Sequence, residues 1–316
     1  METVARIFEE SRSVRAAAAQ EVGAAGTEAP ESRADRAKRV PFSVEMFPPK
    51  GQFTLDAARD VVEGLRAASP DFISVTCSAG GSGSGSGGLT VAVARLVQEQ
   101  AAIPAVAHFT CVSATRASVD AAVEDLRAAG VETVLALRGD LVDGQQPADF
   151  RYASELIPRL KEAGLCVGAA AYPEGHIDCL DPRENIRHLR AKQDAGADFF
   201  ITQLFFSNDD FYRFREAAAS AGVTAPISCG IMPFLGKSQI QRMVFLCGSS
   251  LPAPIIKLLA KYEDDPASLR QAGIEYACNQ LVDLGRHGVD GLHVYAMNQP
   301  DIAHAAAAAV AAAGLR

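Results

Sequence analysis

The chain has no apolar run approaching the ~18 consecutive residues of a membrane span, which excludes a helical membrane protein. Its first ten residues, Met1-Glu-Thr-Val-Ala-Arg-Ile-Phe-Glu-Glu10, are acidic where a secretory signal would be basic, and no long apolar stretch follows. Both absences predict a cytoplasmic protein. Positive charge is in short supply: 30 Lys and Arg against 38 Asp and Glu leave a net charge of −8. Nucleic-acid binding needs clustered cations, so that class is excluded. No C-x-x-C pair occurs among the seven cysteines, Cys77, Cys111, Cys166, Cys179, Cys229, Cys247 and Cys278. Most lie in apolar segments, where a reduced cysteine behaves as a small hydrophobe. The six histidines are dispersed, so no metal set is expected. There is no Gly-x-Ser-x-Gly elbow, which argues against a serine hydrolase on an α/β sheet.

What is present is a core and a rhythm. Apolar residues make up 48% of 316 positions, enough for one large domain or two ordinary ones. Residues 1–38 stand apart as an N-terminal extension: Thr3 to Val22 has a helical pattern, and Gly23 to Arg39 has too little to bury and reads as a linker or mobile arm. From residue 39 to 316 short β-branched runs alternate with helical patterns. The expected strands are Val40–Phe47, Phe72–Cys77, Ala105–Cys111, Thr133–Arg138, Cys166–Tyr172, Phe199–Phe205, Ile227–Met232 and Gly291–Met297, the last after a longer gap. Several intervening helices end in glycine, at Gly130, Gly196 and Gly222. Strands apolar on both faces, joined through helices, are parallel strands. Eight such units predict a (β/α)8 TIM barrel carrying an N-terminal helical or mobile extension. The competing arrangement is an open doubly wound sheet.

One stretch invites a different reading. Thr76-Cys-Ser-Ala-Gly-Gly-Ser-Gly-Ser-Gly-Ser-Gly-Gly-Leu-Thr90 contains G-x-G-x-x-G at Gly83, Gly85 and Gly88. A dinucleotide fingerprint requires an acidic residue about 20 positions on, where this chain has Ala107, His108 and Phe109. The stretch follows the second strand within the rhythm, so it reads as a βα loop on the catalytic face rather than a domain linker.

In a barrel, polar residues at the C-terminal ends of strands are the candidates for chemistry. The strands end in Glu45, Thr76, His108 with Thr110, Arg138 with Asp140, Tyr172 with His176, Thr202 with Gln203, and His293 with Tyr295 and Asn298. Glu45 sits inside an apolar strand, a costly place for a carboxylate unless it is paired or functional. His293 alternates with Tyr295 within a strand and reads as structural. Carboxylates, a glutamine and aromatics around one pocket suit a planar heteroaromatic ligand, with a buried Glu as general acid.

These residues sit in longer motifs: Phe42-Ser-Val-Glu-Met-Phe-Pro-Pro49, Ala107-His-Phe-Thr-Cys111, Leu135-Ala-Leu-Arg-Gly-Asp140, Ala171-Tyr-Pro-Glu-Gly-His176, Asp194-Ala-Gly-Ala-Asp-Phe-Phe-Ile-Thr-Gln203 and His293-Val-Tyr-Ala-Met-Asn298. In them the chain resembles the methylenetetrahydrofolate reductase family over about residues 40–310. The resemblance implies a flavin-dependent oxidoreductase of one-carbon metabolism and methionine biosynthesis. Such an enzyme reduces 5,10-methylenetetrahydrofolate to 5-methyltetrahydrofolate by hydride transfer through FAD or FMN. It implies NADH, NADPH or a partner protein as electron donor, the last if the chain is a flavin- and folate-binding subunit of a larger complex; a homo-oligomer is the other assembly implied. By position, Glu45 matches the family's acid and Asp140 the carboxylate near flavin and folate. Thr76, His108, Arg138, Asp140, Tyr172, His176, Asn185 and Lys192 match cofactor contacts. Glu45, Gln203, Met243 and Gln299 match the substrate side. The chain departs from the family in its Ser-Gly loop, in Asn185 where Asp is common, in Lys237 and Met243 where aromatics are frequent, and in Gln299 where an Arg can hold the folate tail.

Overall fold

A computed structural model describes residues 3–24, 39–49, 54–77, 88–140, 146–179 and 181–316. Eight parallel strands close on themselves in chain order. They are β1 (Phe42–Met46), β2 (Phe72–Val75), β3 (Ala105–Thr110), β4 (Thr133–Leu137), β5 (Cys166–Ala171), β6 (Phe199–Thr202), β7 (Ile227–Ile231) and β8 (Gly291–Tyr295). The expected (β/α)8 barrel is therefore the fold, and the open sheet is ruled out by the β1–β8 pairing that brings Ser43 beside His293 and Glu45 beside Tyr295. Each strand is one to three residues shorter than the run expected from the sequence.

The alternation of side chains along these strands sets up the site. On β1, Phe42, Val44 and Met46 join the large core between strands and helices, whereas Ser43 and Glu45 point into the barrel, where they meet His293 and His108. On β6, Phe200 faces the helices while Phe199 and Ile201 face inward. Phe199 fills so much of the interior that a Cβ on Gly168 of β5 would lie 2.4 Å from its ring. Glycine is therefore the residue that fits there.

The outer layer is α2 (Leu55–Arg66), α3 (Gly88–Leu96), α4 (Arg116–Ala128), α5 (Ala153–Glu162), α6 (Pro182–Asp194), α7 (Asn208–Ser220), then α8 (Lys237–Cys247), α9 (Ala253–Lys261) and α10 (Pro266–Arg286), and finally α11 (Pro300–Ala312). The long gap before β8 holds three of these helices, α8 to α10. Side chains start several helices where the pattern predicts: Thr54 accepts from Ala57 N, and Thr115 forms a reciprocal box with Ser118.

The first helix, α1 (Val4–Ala24), matches the expected one from Thr3 to Val22 and lies against the barrel. Val4 and Phe8, four residues apart, are buried in an inward-facing apolar cluster with Phe72, Val106, Leu135, Cys166, Phe199 and Ile201. Arg12 donates to Asp290 and to the Thr224 carbonyl, and Arg15 to the Val289 carbonyl. Those residues precede β7 and β8, so α1 plugs the N-terminal mouth of the barrel. Most of the segment expected as a linker, and the Ser-Gly repeats of the second loop, lie outside the described residues. Among the described residues no helix is long and apolar enough to cross a membrane.

Candidate active site

A cavity of ≈ 290 Å³ opens at the C-terminal ends of the strands. Of its wall, Glu45, Thr76, His108, Arg138, Asp140, Tyr172, His176 and Gln203 were expected from the sequence, and all eight meet there. A second cavity of ≈ 390 Å³ adjoins it, sharing Leu137, Arg138, Ala170, Tyr172 and His176, and continues past Asn185 and Lys192 to Tyr152 and His188. Met243 and Gln299 line neither cavity. Met243 packs into an apolar cluster of α8 and α9 around Ile240 and Ile255. Gln299 accepts a hydrogen bond from Arg270, which also pairs with Asp301. Lys237 turns outward to Glu263. Thr110, Thr202 and Tyr295, strand-end candidates as well, also line the first cavity, and Cys77 joins them there. Thr110 lies two residues beyond His108 and so shares its face of β3.

The floor of the first cavity is polar and tightly held. Glu45 Oε2 lies 3.5 Å from His108 Nε2 and 3.9 Å from His293 Nε2. His108 is buried, and among the described residues its Nε2 has no hydrogen-bond partner. Burial drives its pKa below the usual histidine value, with Glu45 opposing and His293 assisting, so the ring is neutral. The Tyr295 hydroxyl donates to the Thr202 carbonyl at 2.5 Å. Gln203, in the wall of the first cavity, accepts from the Leu204 amide through Oε1. Gly139, with φ of 82°, takes the left-handed turn that carries the chain from Arg138 to the exposed Asp140 at the rim.

Arg138 stands in the wall that the two cavities share, and Lys192 lines the second. Arg138 donates to Asp178 at 2.7 Å, and this bond holds the Asp178 carboxyl below its ordinary pKa. Lys192 Nζ donates to the Ala170 carbonyl at 2.8 Å and stands 5.2 Å from the centroid of the Tyr172 ring. Burial, reinforced by the charge of Arg138, lowers the Lys192 pKa to about 8. Burial also pushes the Tyr172 hydroxyl up to about 12. The buried Asn185 ties the loop after β5 in place by donating to the Tyr172 carbonyl. Tyr152 and His188 stack at 6.4 Å between centroids at the far end. The rim between β1 and β8 is stitched by Asn298, which accepts from Phe47 N and donates to Phe47 O. It does so from a left-handed backbone, φ 56°, following Met297 at 52°.

Among the described residues no three His, Cys, Asp or Glu side chains are grouped to hold a metal ion. Acids at one cavity and cations at the next fit a neutral or cationic heterocycle beside an anionic group.

The family model described as methylenetetrahydrofolate reductase matches residues 31–310. Methylenetetrahydrofolate reductase 1 of Schizosaccharomyces pombe is 32% identical over 84% of this chain, which spans 45% of that longer protein. The 5,10-methylenetetrahydrofolate reductase of Pectobacterium carotovorum is 29% identical, with 87% of this chain and 91% of the relative covered. Among solved structures, a Clostridium thermocellum protein described as binding two copies of 5-methyl-5,6,7,8-tetrahydrofolic acid superposes with a TM-score of 0.63. It is 13% identical, with 89% of this chain and 99% of that one covered, and so shares the fold. The chain belongs to the methylenetetrahydrofolate reductase family.

Proposed function

We propose that the chain reduces 5,10-methylenetetrahydrofolate to 5-methyltetrahydrofolate with a bound flavin, taking its electrons from NADH or NADPH. The observation that carries this reading is the convergence of Glu45, Asp140 and Gln203 on one cavity that adjoins a second, cationic one. Three features fit a flavin. His108 Nε2 is a buried polar atom lacking a partner. Lys192, in a cavity wall, donates to the Ala170 carbonyl and stands over the face of the Tyr172 ring. The second cavity extends from these residues to an aromatic pair. That extension favours FAD over FMN, because it offers aromatic surface to a second ring beyond the flavin. Thr76, His108, Arg138, Tyr172, His176, Asn185 and Lys192 would hold the cofactor.

A flavin, when bound, supplies a two-electron carrier between nicotinamide and folate. The protein supplies the rest. Glu45 gives a proton to the folate's bridging nitrogen, which opens the five-membered ring. Asp140, an exposed carboxylate at the rim, stabilises the positive charge that develops on the one-carbon unit. Gln203 offers its NH2 group to an acceptor on the heterocycle.

The purified protein is expected to be yellow and to release a non-covalent flavin on heating or acid treatment. The absorption spectrum and mass of the released compound test this; a colourless protein that neither FAD nor FMN reconstitutes would sink it. Cofactor affinity should also depend on pH. Lys192 must carry its proton to serve an anionic or carbonyl acceptor, and the free protein loses that proton as pH rises through about 8. The flavin dissociation constant is therefore expected to be flat below pH 8 and to rise above it, by up to about tenfold per unit. Flavin fluorescence titration across pH 6–10 reads this. Lys192→Met should bind about 10- to 100-fold more weakly, as for loss of a charged hydrogen bond, and without the rise. A wild-type curve parallel to that of the variant refutes the assignment.

A further inference from the structure

We propose that Asn298 is a positioning residue for Glu45: its side-chain amide continues the β1–β8 seam past the end of the ladder and so fixes the point from which the carboxyl group enters the cavity. The paired residues of the two strands end at Glu45 and Tyr295. Beyond them the chain leaves β8 in a turn closed by the Gln299 amide, which donates to the Ala296 carbonyl at 2.9 Å. Both central residues of that turn are left-handed, Met297 at φ 52° and Asn298 at 56°. Such turns ordinarily carry Gly, Asn or Asp there, so Asn298 suits its place and Met297 is strained in its own. Gln239 of α8 holds the strained residue, donating to Met297 Sδ at 3.3 Å while it accepts from the Leu235 amide at 2.9 Å.

From this turn Asn298 meets β1 as a neighbouring strand would. Its Oδ1 accepts from Phe47 N at 2.9 Å, and its Nδ2 donates to Phe47 O at 3.0 Å. The next two residues, Pro48 and Pro49, have no N–H to pair. Phe47 is therefore the last residue before the loop at which both backbone groups of the β1 end can be tied, and Asn298 ties them. Glu45 lies two residues earlier. Among the described residues its carboxyl group has no hydrogen bond to hold it: His108 and His293 stand 3.5 and 3.9 Å away, beyond ordinary hydrogen-bond length. Its placement rests on the backbone of β1. Phe47 is 36% exposed at the rim, so water can satisfy its N–H and C=O once Asn298 is gone. What the clamp supplies is order at the end of the strand more than stability.

The consequence for turnover rests on the folate reading above, in which Glu45 gives a proton to the substrate nitrogen. Misplacing a reacting group by about 1 Å can cost on the order of 10²-fold in rate. Reduction of the flavin does not use that proton, so loss of the clamp separates the two half-reactions. The loss falls on kcat more than on KM, because the proton is transferred only on the way to the transition state. A residue that merely supported the fold would slow both half-reactions together.

Asn298→Gly isolates the clamp, because glycine takes a φ of 56° without strain and has no side-chain amide. In this variant kcat for methylenetetrahydrofolate reduction is expected to fall about 10- to 100-fold, with KM, flavin binding and flavin reduction by NAD(P)H close to wild type. Asn298→Asp keeps the acceptor for Phe47 N and loses the donor to Phe47 O; it is expected between the two, and it serves if the glycine variant does not fold. In a Glu45→Gln background Asn298→Gly should cost nothing further, since the acid through which it acts is already gone. A folded glycine variant with wild-type kcat, or a loss of the same size in the Glu45→Gln background, overturns the proposal. Hydrogen exchange at the Phe47 amide, read without folate, is expected to quicken at least about tenfold in Asn298→Gly; unchanged protection overturns the clamp. A wild type inactive on the folate refutes the proposed function instead, and the exchange rates still decide whether Asn298 holds the end of β1.

Discussion

Glu45→Gln is expected to bind flavin as the wild type does, to be reduced by NAD(P)H at a comparable rate, and to lose the folate reaction by about 10²–10⁴-fold, the usual contribution of a general acid. The amide is nearly isosteric with the carboxyl group and can still face His108 and His293, so the cavity keeps its shape. What it lacks is a proton acidic enough to give away. The folate's five-membered ring must open before its one-carbon unit can accept a reducing equivalent, and opening needs protonation at nitrogen. Single-turnover oxidation of the reduced enzyme by methylenetetrahydrofolate separates this step from flavin reduction. If both half-reactions run at wild-type rates, Glu45 is a structural residue of β1 and the acid lies elsewhere. If both fail together, the damage is to the cofactor site. The informative outcome is the split.

The position of Glu45 was legible because a strand alternates. One carboxylate in an apolar run, followed by two prolines that end pairing, can sit only at the C-terminal end of β1 and on its inner face, given that Phe42, Val44 and Met46 occupy the outer one. The same logic holds for His108, Tyr172 and Gln203, each near the end of a strand whose apolar run locates it. Residues of the segment between β7 and β8 and of the turn after β8 were harder. Met243 and Gln299 take their places from how three helices pack against one another and from a partner, Arg270, 29 positions away. Neither is written in a local pattern. Cys77 reads as a small hydrophobe from its neighbours, and only barrel closure shows that it lines the same cavity as Glu45.

The N-terminal helix illustrates the same limit and carries the other large effect. The i, i+4 spacing of Val4 and Phe8 marks an apolar face, but the surface that receives it is assembled from β2 to β6 and cannot be read from residues 1–38. In the structure the Phe8 ring lies 6.1 Å from Phe72 and 5.7 Å from Phe199, and it is 1% exposed. Phe8→Ala should therefore destabilise the protein by about 3–5 kcal/mol, the transfer and cavity terms for a buried phenylalanine. The void it opens lies against rigid strands, where a barrel cannot collapse to refill it. Urea unfolding is expected to show a lower midpoint with little change in slope, whereas Glu9→Ala, on the exposed face of the same helix, should stay within about 0.5 kcal/mol of wild type. A Phe8→Ala midpoint equal to wild type would mean that the helix leaves the mouth in solution. The folate step in folded Phe8→Ala protein should be unchanged, because the plug and Glu45 lie at opposite ends of the barrel and Phe72 with Phe199 still separates them.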